Sequence, residues 1–323
     1  MASASRLRAN ELFAQVFVFV TTRGNGMNIR TIFQNENHEW RSGWRIVAMV
    51  AVLGVVGVAV NVGWKALGLP GRKAGGPWMF LLFATLITGL ALGGIILLLR
   101  YFENRGLDAI RMPFSARAWK EAGTGALLGA MPICLLVGLA LVVGYGSITT
   151  GNLVMSALLP ALLPTLLALF LLAAWEEFVL RGYLLRQLSI GFNPMTAVVI
   201  TGALFGLMHS GNPGANWEGL LYTFVGGVLM ALLVIRSGSL WLVIGYHFGW
   251  NAAAYNLFGL ELSGLEGDTS IFVGTLSGAD WLTGGSYGFE ASVPAVVFEI
   301  LVLSIALRVI KQKASEPFLQ QGL

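Results

Sequence analysis

Eight long apolar segments, separated by short polar stretches, constrain this chain more than any other feature of its sequence. They lie near residues 44–64, 78–100, 123–146, 153–180, 194–210, 217–236, 239–257 and 291–310. A helix of about 20 apolar residues crosses the hydrocarbon core of a bilayer, and most of these segments reach or approach that length. Only 11% of the residues are charged, whereas an ordinary soluble domain has about 25%. We therefore predict an all-α polytopic membrane bundle of about eight transmembrane helices.

The distribution of basic residues predicts how this bundle is oriented. If the N-terminus is cytoplasmic, all but three of the 20 Lys and Arg residues (Lys65, Arg72 and Lys73) lie on the cytoplasmic side. Basic residues are enriched on that side of membrane proteins. We therefore expect both termini in the cytoplasm, and a bacterial cytoplasmic membrane as the location. Because the basic residues are scattered between apolar segments, they indicate the lipid bilayer and no nucleic acid as a partner.

The polar stretches divide the chain into a tail, a bundle and a second tail. The expected regions are a basic N-terminal tail (1–43), the transmembrane bundle (44–310) and a C-terminal tail (311–323). Within the bundle, residues 258–290 are rich in Gly and Ser and also acidic. We expect this connection to be an exposed extracytoplasmic loop rather than a second domain.

Three charged residues, Glu176, Glu177 and Arg181, lie at the end of the fourth apolar segment. A charge at the bilayer centre costs about 2.5 kcal/mol or more on insertion scales, so such residues usually mark a functional site. Glu177 and Arg181 are four residues apart, in the favourable order for an ion pair on one helix face. Glu176 points about 100° away, which leaves it free to act as a general base on water. The alternative is a structural charge cluster that closes the helix at its cytoplasmic edge.

Two histidines and an asparagine lie in later apolar segments. Phe205 and His209 share a helix face, so an aromatic ring would back the imidazole. A lone histidine of this kind is more often a packed residue than a catalyst. His247 and Asn251 are also four residues apart. They could donate hydrogen bonds to a developing oxyanion, or form a polar clasp between helices.

Helical rise gives an expected depth for these polar groups. If Arg181 marks the cytoplasmic rim, Glu176 lies about 7.5 Å from it and His247 about 12 Å into its own segment. Both values favour a chamber that opens towards the cytoplasm. His209 lies about 22 Å along its segment and fits this chamber less well.

Polar residues on three spans must find polar partners in lipid, so we expect these groups to meet one another. Their order along the chain resembles that of the CPBP intramembrane proteases, the family that includes the CAAX prenyl endopeptidases and bacteriocin-processing or immunity proteins. The resemblance covers residues 153–257 as a protease-like core. The matching residues are Glu176, Glu177, Arg181, Phe205, His209, His247 and Asn251.

The resemblance implies an endopeptidase that hydrolyses a peptide bond of a membrane-associated protein or peptide. It implies that Glu176 and His209 activate the water, and that His247 and Asn251 stabilise the oxyanion. Glu177, Arg181 and Phe205 would support the site. The family has been described both as zinc metalloproteases and as metal-independent glutamate proteases. Two histidines and a glutamate could bind zinc, but the His-Glu-x-x-His helix is absent from the sequence, so no cofactor is assigned and zinc stays open.

Two other functions remain open at this stage. The same bundle could be a catalytically silent scaffold or immunity protein that binds a partner. Intramembrane Glu, Arg and His also occur in proton-coupled transporters, although no inverted repeat is evident in this sequence.

Overall fold

The protein is mostly helical, as the apolar segments predict. The computed structural model describes residues 29–70, 75–151, 155–265 and 269–311. The helices are α1 (Ile29–Phe33), α2 (Ser42–Ala66), α3 (Gly76–Leu98), α4 (Ala116–Val143), α5 (Met155–Glu177), α6 (Leu185–Gly191), α7 (Pro194–Met208), α8 (Trp217–Ser237), α9 (Leu240–Asn251), α10 (Asp280–Thr283) and α11 (Val293–Val309). Short π-helical segments, Leu99–Glu103, Phe178–Leu184 and Ala252–Leu257, directly follow α3, α5 and α9. Two strands, β1 (Gly146–Thr150) and β2 (Phe272–Leu276), pair antiparallel with Gly146 opposite Leu276.

Six of these helical stretches are long and apolar enough to cross a membrane. They are Ser42–Ala66, Gly76–Glu103, Ala116–Val143, Ser156–Gly191, Pro194–Gly211 and Trp217–Ser237. They coincide with the first six predicted segments and confirm a multi-pass, all-α integral membrane protein. The last two predicted segments are also helical but shorter. In the described part of the chain, six helices rather than eight therefore meet the length and hydropathy of a span.

The short helix α9 lies in the centre of the bundle, where residues 240–247 are all buried. It packs against α4 through four glycines, Gly125 and Gly129 on α4 and Gly245 and Gly249 on α9. A Cβ atom on Gly129 would lie only 1.9 Å from the carbonyl oxygen of Tyr246. One on Gly245 would lie 2.0 Å from the carbonyl oxygen of Ala122. Small residues on both helices thus bring the two backbones into direct contact, as in many membrane helix pairs.

One end of the bundle, which we call the basic end, is held by charged residues. Glu103, at the end of the π-helical turn after α3, pairs with Arg45 at 3.1 Å and with Arg186. Gln187 donates a further hydrogen bond to Glu103 at 2.7 Å. Arg236 donates to the carbonyl oxygen of Ile310 at 3.0 Å. These contacts join the start of α2 to the end of α3 and the start of α6, and the end of α8 to the end of α11.

The opposite end, which we call the loop end, carries the two-stranded sheet and the connection at 258–290. The described part of this connection, which the sequence analysis expected to be an exposed loop, includes both exposed and buried residues. Leu260, Leu262, Tyr287 and Phe289 are buried against the bundle, and β2 pairs with the strand that follows α4. Because these apolar side chains pack on helix ends, the connection forms a folded cover.

Candidate functional site

A cavity of about 400 Å³ lies between α3, α5, α7, α8, α9, α11 and the connection at the loop end. Its apolar wall includes Phe80, Phe83, Leu169, Leu172, Met208 and Met230. Its polar wall includes Glu176, His209, His247, Asn251, Glu290 and Glu299. All four residues that the sequence predicted to be catalytic therefore face one chamber. The predicted supporting residue Phe205 lines it as well.

Glu177 and Arg181 form the ion pair that their spacing predicted. Arg181 Nη1 donates to Glu177 Oε1 at 2.9 Å, and both side chains are completely buried. Arg181 Nη2 also donates to the carbonyl oxygen of Gly227 at 3.2 Å. Gly227 lies beside Gly202 with no side chain on either residue, and this close approach of α7 and α8 leaves space for the guanidinium.

The sequence analysis expected the helix that carries this pair to end at the charges, but it continues beyond them. It widens to a π-helix at Phe178 and continues as α6 to Gly191. Gly191 is ten residues beyond Arg181, or about 15 Å further along at 1.5 Å per residue. The pair therefore does not close the helix, and its complete burial places it inside the bundle.

His247 connects the buried ion pair to the cavity. Its Nδ1 lies 2.9 Å from Glu177 Oε1. Because a carboxylate paired with arginine only accepts hydrogen bonds, Nδ1 carries the hydrogen. The other ring nitrogen, Nε2, lies 3.9 Å from Oε2 of Glu176. This distance is too long for a direct hydrogen bond, so the two groups face each other without being joined.

The two adjacent glutamates have different surroundings. The Glu177 side chain is fully enclosed, whereas the Glu176 side chain is 25% exposed and lines the cavity. Among the described residues, Oε2 of Glu176 is buried and lacks a hydrogen-bond partner. Buried polar atoms are nearly always hydrogen-bonded, so a partner for this oxygen is expected from a water or a bound molecule.

His209 and Phe205 complete the same wall. His209 lies in a short turn just after α7, and its Nδ1 is 2.8 Å from the carbonyl oxygen of Phe205. Since a carbonyl only accepts, Nδ1 donates and Nε2 is left as the acceptor of the neutral ring. The Phe205 ring contacts His209 at 4.8 Å and His247 at 5.7 Å between ring centroids. The Arg181 guanidinium lies 4.2 Å from the centre of the same ring, so Phe205 contacts the buried cation as well as both imidazoles.

Asn251 is the last residue of α9, and the chain widens to a π-helix at Ala252. The same change occurs directly after Glu177 on α5. π-Helical turns are rare and are often found at functional sites. Two of the helices that carry the candidate site, α5 and α9, therefore change their winding at the residue after a site residue.

The cavity lies towards the loop end, on the side of Glu176 that faces away from Arg181. On α5 its lining residues (Thr165, Leu169 and Leu172) all lie on the loop-end side of Glu176. The depth expected from the sequence takes Arg181 as the end of the fourth apolar segment. Because the helix runs to Gly191, Glu176 is about 22 Å from that end instead. The position of His209 near the other side of the bundle then agrees with the rest of the site.

Sequence reasoning missed a second acidic group in the cavity wall. Glu299 of α11 is buried and accepts a hydrogen bond from the Tyr246 hydroxyl at 3.4 Å. Gly226 makes room for it, since a Cβ there would lie 2.6 Å from Glu299 Oε1. The signal was present in the sequence, because Glu299 is an acid within an apolar segment, where ionisable side chains usually mark a functional site.

Glu290 reaches the cavity from the connection and had no sequence signal among the other acids there. It accepts hydrogen bonds from Trp250 Nε1 at 2.9 Å and from the Ser263 hydroxyl at 2.5 Å. Burial raises the pKa of the neighbouring Tyr287 to about 12, and the negative charge of Glu290 adds to this effect. Tyr287 therefore stays protonated at ordinary pH and adds no negative charge to the cover.

The described side chains do not fit a zinc site with three protein ligands. Within the described ranges, no three residues among His, Cys, Asp and Glu are grouped so that they could hold a metal ion. A catalytic zinc needs three such ligands and an open position. Nδ1 of His209 and Nδ1 of His247 are instead each hydrogen-bonded to a protein oxygen.

Comparison with known proteins identifies the segment that carries the site. Residues 158–253 match the family model described as Rce1-like, type II CAAX prenyl endopeptidase. This range includes all seven residues on which the resemblance rests, and the match confirms that resemblance. The uncharacterized protein YyaK of Bacillus subtilis (strain 168) is 27% identical over 188 residues, which are 56% of this chain and 60% of YyaK. The chain thus spans less than two thirds of the length of this curated relative. No solved structure matches the chain.

Proposed function

We propose that this chain, whose core matches the Rce1-like family of type II CAAX prenyl endopeptidases, is an intramembrane endopeptidase. Its substrate is a membrane-associated protein or peptide. The observation that carries the proposal is the placement of Glu176 opposite Nε2 of His247, at 3.9 Å, in a cavity that also holds His209 and Asn251. Acid, base and amide groups that converge in an otherwise apolar pocket are the usual composition of a catalytic site.

Glu176 is the group best placed to activate water. Glu177 is occupied by Arg181 and His247, so it cannot take a further role without giving up a buried charge pair. Glu176 is partly open to the cavity and has an oxygen that needs a partner. Catalytic hydrogen bonds are often long before substrate binds and shorten in the complex. The 3.9 Å separation from His247 is consistent with such a site.

The proposed reaction begins when a water oxygen attacks the carbonyl carbon of the scissile peptide bond. Glu176 takes a proton from this water, and Nε2 of His209 accepts the second hydrogen bond that orients it. His247, in its protonated form, donates from Nε2 to the oxyanion, and the Asn251 side-chain amide supplies a second donor. Glu176 then passes its proton to the leaving amine nitrogen as the carbon–nitrogen bond breaks.

Glu177, Arg181 and Phe205 have positioning roles in this proposal. Glu177 fixes the ring of His247 through Nδ1, which directs Nε2 to the cavity. Arg181 holds the Glu177 carboxylate in place through a hydrogen bond. Phe205 holds the two imidazole rings apart at the same wall.

The proposal is tested by cleavage of membrane peptides by the purified protein in proteoliposomes. Glu176→Gln and His209→Ala should each abolish cleavage, while Glu261→Gln, the same chemical change at an exposed position outside the cavity, should have no effect. A parallel sample with a chelator tests the metal requirement. Normal cleavage by the Glu176→Gln protein would remove the proposal. Retention of biological function by the Glu176→Ala, His209→Ala double variant would select the silent scaffold instead.

A further inference from the structure

The residues that line the cavity indicate that it is reached from one end of the bundle, the loop end. The lining residues on α3 are Gly76, Pro77, Phe80 and Phe83, all in its first third, next to the loop end. Those on α7 are at its end, and those on α8 begin in its second turn. The connection adds Leu262, Ser263, Leu265 and Glu290. Each element thus contributes the part that lies nearest to the loop end.

The path towards the basic end is blocked by packed side chains. The π-helical segment Phe178–Leu184 follows Glu177 on the side of the basic end, and every residue in it is buried. Beyond it, Glu103 forms ion pairs with Arg45 and Arg186, and all three side chains are less than one tenth exposed. None of these residues lines the cavity. A substrate would have to disrupt a buried charge network to arrive from this side.

The charges at the two ends differ in a way that assigns them to sides of the membrane. Among the described residues, Lys65 is the one basic residue at the loop end. The same end also carries acids such as Glu261 and Asp280. The basic end carries Arg41, Arg45, Arg100, Arg105, Arg111, Arg117, Lys120, Arg186, Arg236, Arg308 and Lys311. Positively charged residues near helix ends face the cytoplasm. The loop end, with the cavity, therefore faces away from it.

We propose that the site takes its substrate from the extracytoplasmic side, so that its substrates are extracytoplasmic, membrane-anchored segments of proteins or peptides. The substrate class in this proposal rests on the proposed peptidase function. The direction of access does not depend on that function. A volume of about 400 Å³ accepts a short extended segment and excludes a folded domain. The wall formed by Phe80, Leu169 and Met230 suits the apolar residues that such a segment brings from the bilayer.

The direction of access is tested with single cysteines in intact cells. Cys134, the sole cysteine, is first replaced by Ala. Leu265→Cys then places a thiol in the cavity wall at the loop end, and Ser277→Cys places one at an exposed position of the same end. Ser115→Cys, exposed at the start of α4, is the matched control at the basic end. The probe is a maleimide that does not cross membranes.

We expect Leu265→Cys and Ser277→Cys to be labelled in intact cells, and Ser115→Cys only after the membrane is permeabilised. The reverse pattern would overturn the proposal. Ser277→Cys is a nearly isosteric change and keeps the test decisive if Leu265→Cys fails to fold. Labelling requires no catalysis, so it decides the direction of access even if the protein proves not to be a peptidase.

Sided membrane vesicles test the substrate class. A peptide with an apolar segment and a charged head that cannot cross the bilayer is added to right-side-out or inverted vesicles. Cleavage should occur with right-side-out vesicles and be absent from inverted ones. Cleavage confined to inverted vesicles contradicts the proposal, whereas no cleavage in either, with the expected labelling, contradicts the peptidase function alone.

Discussion

Nδ1 of His247 and Nη1 of Arg181 donate to the same oxygen, Oε1 of Glu177, each over 2.9 Å. One buried carboxylate thus holds both the cation beneath the site and the imidazole that faces the cavity. The adjacent Glu176 is left out of this pairing and lines the cavity. Two neighbouring residues of identical chemistry therefore have separate structural roles, set by the 100° that a helix turns between them.

The first prediction concerns the shared carboxylate. Glu177→Gln leaves the completely buried Arg181 without its counter-charge, and loss of one partner from a buried pair costs about 3–5 kcal/mol. We expect a clearly lower thermal unfolding temperature in detergent and loss of cleavage. Arg117→Ala is the control, because the Arg117–Glu121 pair is exposed on its arginine side and such pairs contribute about 1 kcal/mol at most. Equal unfolding temperatures for Glu177→Gln and Arg117→Ala would contradict the central role of Glu177.

The second prediction separates oxyanion stabilisation from folding. Asn251→Ala should lower kcat by about 100- to 1,000-fold, the usual effect of removing one oxyanion donor. KM and the unfolding temperature should change little, since Asn251 is only half-buried at the cavity wall. Steady-state kinetics in proteoliposomes give both constants. Asn61→Ala, an exposed asparagine on α2, is the matched control. A rise in KM with unchanged kcat would instead assign Asn251 to substrate binding.

The third prediction concerns the contact between α4 and α9. Gly129→Ala and Gly245→Ala each place a methyl group about 2 Å from a carbonyl oxygen of the facing helix. The helices must separate, and overpacking of this kind costs about 1–3 kcal/mol or more. Both variants should unfold at lower temperature and lose activity, because α9 carries His247. Gly138→Ala, on the same helix α4 with no atom within 4 Å of the new Cβ, should leave both properties unchanged.

The fourth prediction concerns the basic end. Glu103→Gln leaves Arg45 and Arg186 buried without their shared counter-charge, and we expect a lower unfolding temperature. Because Glu103 does not line the cavity, folded Glu103→Gln protein should cleave peptide at a normal rate per molecule. Unfolding and cleavage are measured on the same preparation, with the exposed Glu36→Gln as the control. Lost cleavage in fully folded Glu103→Gln protein would show that the basic end takes part in the reaction.

The sequence predicted what depends on helical spacing. The pairs Glu177–Arg181 and Phe205–His209 are both in contact at four-residue intervals, as one turn of helix requires. The need for polar groups to meet inside lipid also predicted one chamber for Glu176, His209, His247 and Asn251. The catalytic roles of these residues stay predictions until variants are measured.

The rest depended on contacts between distant parts of the chain. Spacing alone could not show that His247 pairs with Glu177 rather than Glu176, because that choice is made by the relative rotation of two helices. It could not place Glu290 in the cavity wall, since this requires the connection to fold back onto α9 through Trp250. The sequence did not predict the helical stretch beyond Arg181, because charged residues after an apolar run usually indicate the end of a membrane helix. In the structure these charges are buried, and the helix continues through a π-helical segment to Gly191.

The glycine contact between α4 and α9 has a consequence for how this protein can change over evolutionary time. The height and tilt of α9 are fixed by main-chain atoms on both sides, not by the shape of particular side chains. Apolar residues on the lipid-facing side of α4, such as Leu127 and Val142, can therefore vary freely in size while the imidazole of His247 keeps its place. Distant relatives should conserve the four small residues more strictly than the apolar ones around them.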